Sequence, residues 1–122
     1  INENIPLLAY SPLARGLLTG KYMGNKIPEG SRLSRDDKIR KIVNNNSDLA
    51  VKAYYSLASK YNIDPLHMSL AFCNERPFMG SVIFGATNIS QLRKILAGIN
   101  LKLNSEIKKE IQILYKKFPL TF

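Results

Sequence analysis

Leu7-Leu8-Ala9-Tyr10-Ser11-Pro12-Leu13-Ala14-Arg15-Gly16-Leu17-Leu18-Thr19-Gly20-Lys21-Tyr22 is the stretch that decides the fold. Its head, with Ile5 and Pro6 before it, is an apolar run too short to display a period. Its length and the Ser11-Pro12 that closes it favour a strand near residues 5–10, buried on both faces as in a parallel sheet. Downstream, Ser81-Val82-Ile83-Phe84 reads as a second buried strand, and Gly85-Ala86-Thr87-Asn88 as the turn into a helix.

Between and after these runs lie helical signals. Ser47-Asp48 is a candidate cap for a helix to about Tyr61, with Ala50, Ala53, Tyr54, Leu57, Ala58 and Tyr61 as its apolar stripe. Asp64-Pro65 starts another, reaching about Asn74 before Pro77, with Asp at the N-cap and Pro in the first turn. A further helix is expected over about 90–97. Asn104 or Ser105 opens the last, to about Lys117, with Ile107, Ile111, Leu114 and Phe118 facing inward. Residues 11–46, carrying Gly16, Gly20, Gly24 and Gly30, read as one long loop, functional or disordered. No internal repeat is visible. The order is βαβα, hence an α/β fold with parallel strands and a right-handed crossover. Two strands are too few to bury a parallel sheet on both sides, so residues 1–122 read as one part of a larger barrel or sheet.

Composition narrows the function. With 45% hydrophobic residues the chain is of globular type, and no apolar run reaches the roughly 20 residues that span a bilayer. The chain opens at Ile1 without a Met or a secretory signal, and Ile1 is read as a fragment boundary. A lone Cys73 excludes an internal disulfide framework and a Cys-based zinc cluster, and fits a cytoplasmic setting; it reads as a small buried apolar residue. The net charge of +9, from 18 Lys+Arg against 9 Asp+Glu, favours a polyanionic partner. Lysines that merely solvate helix faces are the plainer account of most of that charge. The basic residues form no tight run, and no RNP-like, helix-turn-helix or zinc-finger pattern accompanies them, so nucleic-acid binding has only the charge behind it and no nucleic-acid partner is expected.

Two constellations carry chemistry. The first begins at the end of the first strand, where small residues let the backbone approach a ligand and Arg15 and Lys21 can neutralise phosphate. The alternative there is a flexible surface loop with scattered basic residues. The second is Gly85-Ala86-Thr87-Asn88 with Gln91, at the end of the second strand, where a helix N-terminus suits a phosphate. Its alternative is an ordinary strand-to-helix turn with Thr87 or Asn88 as N-cap. His67 has no partner spacing around it and reads as structural or exposed.

Taken together, LLAYSPLARGLLTGKY, IDPLHMSLAF, SVIFGATNISQL and the tail LNSEIKKEIQILYKKFPLTF resemble the aldo-keto reductase family over nearly the whole chain. The likeness is nearest to the branch of bacterial Tas-like reductases and potassium-channel β subunits. It implies strands 7 and 8 of a (β/α)8 TIM barrel with their helices, and an NADP(H) cofactor. It implies that Tyr10 stacks on the nicotinamide, that Ser11, Pro12, Leu13 and Ala14 line the pyrophosphate, and that Lys21 reaches over the phosphates. Arg32 matches the arginine near the adenosine end, and Gly85, Thr87 and Gln91 match the turn holding the adenosine ribose and its 2′-phosphate. Lys94 and Ile95 stand where relatives carry Glu-Asn for the adenine edge, so altered adenine recognition is expected. Lys94 is also expected to deepen the positive field.

The family's catalytic Asp, Tyr, Lys and His lie upstream of strand 7, so no catalytic residue and no metal ligand is expected in this chain. Of its tyrosines, Tyr10 and Tyr22 fit the cofactor motif, Tyr54, Tyr55 and Tyr61 one helix, and Tyr115 the last. The resemblance implies a reductase of small aldehydes or ketones as a complete protein. A truncated, catalytically inactive or cofactor-sensing fragment is the second reading. Alone, such a fragment is expected to expose Leu7, Leu8, Val82 and Ile83 and to self-associate.

Overall fold

The structure is a computed structural model that describes residues 5–119. Ile1 and the last three residues of the closing motif lie outside the described residues. Strand β1 is Leu7–Tyr10 and strand β2 is Met79–Ile83. They pair in parallel, with Leu8 opposite Ser81, Ala9 opposite Val82 and Tyr10 opposite Ile83. The helices are α1 (Asp37–Arg40), α2 (Asn45–Lys60), α3 (Pro65–Asn74), α4 (Ile89–Ala97) and α5 (Ser105–Lys117). The expected βαβα order and parallel pairing are present, and the chain is α/β.

Local chemistry sets the helix ends. Asp64 accepts the Leu66 N–H at 2.8 Å ahead of Pro65, and Asn104 accepts the Ile107 N–H at 2.8 Å. For α2 the expected Ser47-Asp48 cap gives way to Asn44. The Asn44 side chain accepts the Ser47 N–H at 3.0 Å, while Ser47 Oγ accepts the Asn44 N–H at 3.0 Å. That reciprocal box satisfies two orphan donors at once, and it buries Ser47 as a member of the first turn.

The long loop is also corrected. Residues 11–46 contain tight 3₁₀ turns at Ala14–Thr19, Met23–Asn25 and Arg32–Ser34, followed by α1. Its apolar residues Leu17, Tyr22, Leu33 and Ile42 pack onto Val51 of α2 as a core of their own. Tyr22 is therefore core, not part of a ligand surface.

A second core joins α2, α3 and α5 through Leu57, Ala58, Met68, Ala71, Ile107 and Ile111, with Leu114 packed against it. The third sets Val82 of β2 against Leu66 and Leu70 of α3 and Ile95 of α4. Val82 is thus covered, contrary to expectation. Strand side chains alternate between faces, and Val82 looks toward the helices. Leu7, Leu8 and Ile83 are exposed, at 50%, 60% and 50%, so neither strand is buried on both faces. No described strand covers the outer face of this pair.

The α2 and α5 helices are also joined by polar contacts. Glu110 accepts from Lys60 Nζ at 2.7 Å and from Tyr61 Oη at 2.5 Å. The carboxylate holds the phenol proton, and with partial burial it pushes the Tyr61 pKa up to about 12. A raised folded-state value means that this contribution to stability is complete below the ordinary tyrosine pKa of 10 and is lost as pH climbs through 12. Alkaline titration of tyrosine absorbance is expected to show a step at about 12 from Tyr61, besides the raised ionisations that burial gives Tyr54 and Tyr55. In Glu110→Gln, which keeps an acceptor but no charge, that step should move back toward 10. An unmoved late step would place the perturbation elsewhere.

Candidate functional site

Parallel pairing points the C-terminal ends of both strands the same way, and Tyr10 stands directly opposite Ile83. The segments after Tyr10 and after Ile83 therefore leave one edge of the sheet side by side. Leu13 of the first segment and Val82 of β2 both pack against the same cluster of Leu66, Leu70 and Ile95. What Leu13 offers a ligand is thus mainly its backbone.

Around this edge the backbone turns sharply. Ser11, Ala14 and Arg15 have φ of 58°, 48° and 57°, in the region L-residues seldom occupy. Gly16 follows at φ 98°, and a Cβ there would stand 3.3 Å from Lys21 Cε. The left-handed turn favours glycine here, and a methyl would press only on the flexible end of Lys21. The Lys21 ammonium lies 5.1 Å from the Tyr22 ring centroid. Tyr10, at the strand end, presents its ring 81% exposed.

Arg32 arrives from further along the chain. The residue next to it, Leu33, is wholly buried, and the Leu33 N–H donates to Tyr22 Oη at 3.4 Å. An exposed guanidinium is thereby set on an immobilised base. Among the described residues Arg32 makes no ion pair.

At the second segment Asn88 is the N-cap of α4, its Oδ1 accepting the Gln91 N–H at 2.9 Å. Gln91 Oε1 accepts from the Thr87 N–H at 2.9 Å and from the Thr87 hydroxyl at 3.0 Å. Gly85 has open space around its Cα. The pair expected to bear on adenine points elsewhere. Ile95 is buried against α3, and Lys94 pairs with Asp64 at 3.3 Å. Lys94, expected to deepen the positive field, thus stands in a partly exposed ion pair.

His67 is structural, as expected. A carbonyl can only accept, so His67 Nε2 carries a proton and donates to the Lys94 carbonyl at 2.6 Å. Its ring fills the space where a methyl on Gly98 would sit. Cys73 is half-buried, and burial pushes its thiol pKa up, away from nucleophilic chemistry. Among the described residues no group of three His, Cys, Asp or Glu could hold a metal ion. No helix there is long and apolar enough to cross a membrane. A groove of about 300 Å³ lies between α2 and α5, lined by Leu57 and Leu114. It shares no residue with the strand-end segments, and the ions at its rim, Lys60 and Glu110, neutralise each other.

Residues 1–116 match the family model described as the aldo/keto reductase family. The chain belongs to the aldo/keto reductase family. It is 34% identical to "Protein tas" of Escherichia coli over 116 residues, which are 95% of this chain and 34% of that protein. It is 31% identical over 112 residues to a probable voltage-gated potassium channel subunit beta of Arabidopsis thaliana, covering 82% of this chain and 31% of that one. With L-glyceraldehyde 3-phosphate reductase of Escherichia coli K12 it shares 30% identity over 104 residues, covering 81% of this chain and 30% of the relative. The chain spans about a third of the length of these curated relatives. The family implies a (β/α)8 barrel, of which the described residues hold a two-stranded parallel element with its helices.

The placement of α4 depends on His67 and Gly98. Gly98→Ala is expected to lower stability by about 1–3 kcal/mol through overpacking, as read by urea unfolding. In a His67→Ala background the same substitution should cost only a few tenths of a kcal/mol, because the clash is gone. Equal costs in both backgrounds would refute the contact.

Proposed function

We propose that residues 1–122 are the C-terminal, NADP(H)-binding part of an aldo-keto reductase that reduces aldehydes or ketones. Strands 7 and 8 of the barrel are then β1 and β2. The observation that carries this is the side-by-side exit of two phosphate-suited segments from paired strand ends, Tyr10 opposite Ile83. Barrel enzymes bind ligands at that end of their strands, often with a phosphate site after strands 7 and 8.

The residues present fit such a cofactor. The exposed Tyr10 ring offers a flat apolar platform for the nicotinamide. Lys21, folded over the bare backbone of Gly16, offers a charge to the pyrophosphate lined by Ser11, Pro12, Leu13 and Ala14. Gly85, Thr87 and Gln91 receive the adenosine ribose and its 2′-phosphate, with Arg32 as the charged partner. To donate to that phosphate, Thr87 must exchange its bond to Gln91 for one to the anion. When bound, the cofactor supplies the hydride. The chain's own residues bind and orient it, and the proton donor comes from outside these residues. Ile95 and Lys94 take no part in adenine recognition on this reading, because both are turned to α3 and its flank.

Discrimination for NADP(H) over NAD(H) follows from Arg32, whose planar donor fork gains only when the 2′-phosphate is present. In the complete protein, Arg32→Ala is expected to weaken NADPH binding by about 1.5–3 kcal/mol, the scale of a charged hydrogen bond. NADH binding should barely change. Nicotinamide fluorescence titrations of both cofactors check this, and equal losses would show that Arg32 does not read the phosphate.

A second reading, a catalytically inactive or cofactor-sensing fragment, rests on the lack of an expected proton donor in the chain. Isolated residues 1–122 are expected to show no carbonyl-dependent NADPH oxidation, since losing a general acid typically costs about 10²- to 10⁴-fold. On either reading the isolated chain exposes Leu8 and Ile83 and self-associates. Turnover above background by the purified chain would place a proton donor within it.

A further inference from the structure

Asp48 stands in the first turn of α2, far in sequence from the strand ends, and no cofactor role falls on it. Its side chain is only 11% exposed and makes two short contacts. Oδ1 accepts the Gly24 N–H at 2.6 Å, and Oδ2 pairs with Lys52 at 2.6 Å. One turn earlier on the helix, Asn45 Oδ1 accepts from Asn25 Nδ2 at 2.9 Å. Gly24 and Asn25 are consecutive left-handed residues, φ 71° and 58°. That bend turns one after the other onto the start of α2.

From the geometry we infer that Asp48 is a positioning residue for the basic loop, and that its bond to Gly24 fixes where Lys21 and Arg32 stand. The route is short and continuous. Gly24 lies two residues beyond Tyr22, whose ring is buried against Leu17, Leu33 and Val51. Lys21 directly precedes Tyr22 and lies over its ring. Tyr22 Oη receives the N–H of Leu33, the neighbour of Arg32. Both cations are therefore referred to one buried tyrosine, and the Asp48 latch closes the loop that seats it. On the other side, Gly20 fits against the Tyr55 hydroxyl, where a Cβ would collide. The turn at residues 20–25 is thus held to α2 at Tyr55, Asp48 and Asn45.

An exposed helix acid paired at i+4 usually contributes little beyond a few tenths of a kcal/mol of helix stability. Asp48 differs because it is shielded and because one oxygen is committed to a backbone N–H 24 residues away in the chain. Charge-assisted bonds of this kind are short and strong. The bond to Lys52, followed by the bond to Gly24, holds the Asp48 carboxyl below the usual aspartate range, so it is ionised and accepting at neutral pH.

This inference rests on the reading of Lys21 and Arg32 as cofactor ligands, and two measurements on the full-length protein separate the two claims. The first needs no ligand: amide exchange at Gly24 and tryptic cleavage after Lys21 and Lys26. Asp48→Ala should speed both by about tenfold, the scale of one charge-assisted bond. Asp48→Asn retains an acceptor for Gly24 and should restore most of the protection. Lys52→Met, which removes only the ion pair, should stay close to wild type. If Asp48→Asn and Lys52→Met are as exposed as Asp48→Ala, the acid serves the helix alone and the inference falls. The second measurement is the ratio of NADPH to NADH dissociation constants. Asp48→Ala should raise it by about threefold to tenfold with Asp48→Asn in between, because a misplaced Arg32 loses the 2′-phosphate that only NADPH carries, whereas a misplaced Lys21 weakens both cofactors alike. An unchanged ratio alongside lost protection would mean that the latch positions nothing that matters for binding. Wild type that binds neither cofactor would overturn the cofactor reading, while the ligand-free arm would still decide whether Asp48 holds the loop.

Discussion

The parallel pairing of Leu7–Tyr10 with Met79–Ile83 is the constraint on which the site depends. Without it, the segments after Tyr10 and after Ile83 would be separated by more than seventy residues of intervening chain. With it, they leave the same edge in the same direction. A parallel pair needs a long crossover, and here that crossover contains the looped segment, α2 and α3. The scaffold that makes the pairing possible is therefore also the body against which the basic loop packs.

That loop shows how a glycine-rich segment becomes ordered without regular structure. Its turns at Gly16, Gly20 and Gly24 allow Leu17, Tyr22 and Leu33 to reach one cluster on α2. Burial of these side chains repays part of the entropy that such a flexible sequence loses on ordering. The cations next to the buried residues, Lys21 and Arg32, stay at the surface. A core that alternates buried apolar residues with exposed basic ones in this way gives firm placement to groups whose own side chains are long and mobile.

The helices α3 and α4 form the other wall. Ile95 enters the core, Lys94 is paired with Asp64 and its carbonyl receives His67, so consecutive residues of α4 are committed to α3. The solvent side of α4 begins with Thr87, Asn88 and Gln91, whose hydrogen bonds close on one another. This turn satisfies its own donors and acceptors from within.

Much was determined by the sequence itself. The Asp64-Pro65 start, the Asn104 cap and the inward positions Ile107 and Ile111 follow from local chemistry and short periods and are present as read, and the two apolar runs are strands as read, though not buried on both faces. So is the family, carried by motifs in fixed order along the chain. Other features were decided only by tertiary structure. Ser47 reads as a cap until Asn44 folds back to share its donors. Tyr22 looks like part of a ligand motif until the loop closes and buries it. Lys94 looks like free positive charge until Asp64, thirty positions earlier, is brought beside it. Asp48 reads as part of a helix cap, because nothing local reveals that Gly24 will present its N–H there. The Asn44–Ser47 box is local, but for Lys94 and Asp48 the deciding partner is distant in the chain, and only the packing of the loop and of α3 onto their neighbours brings it within bonding range.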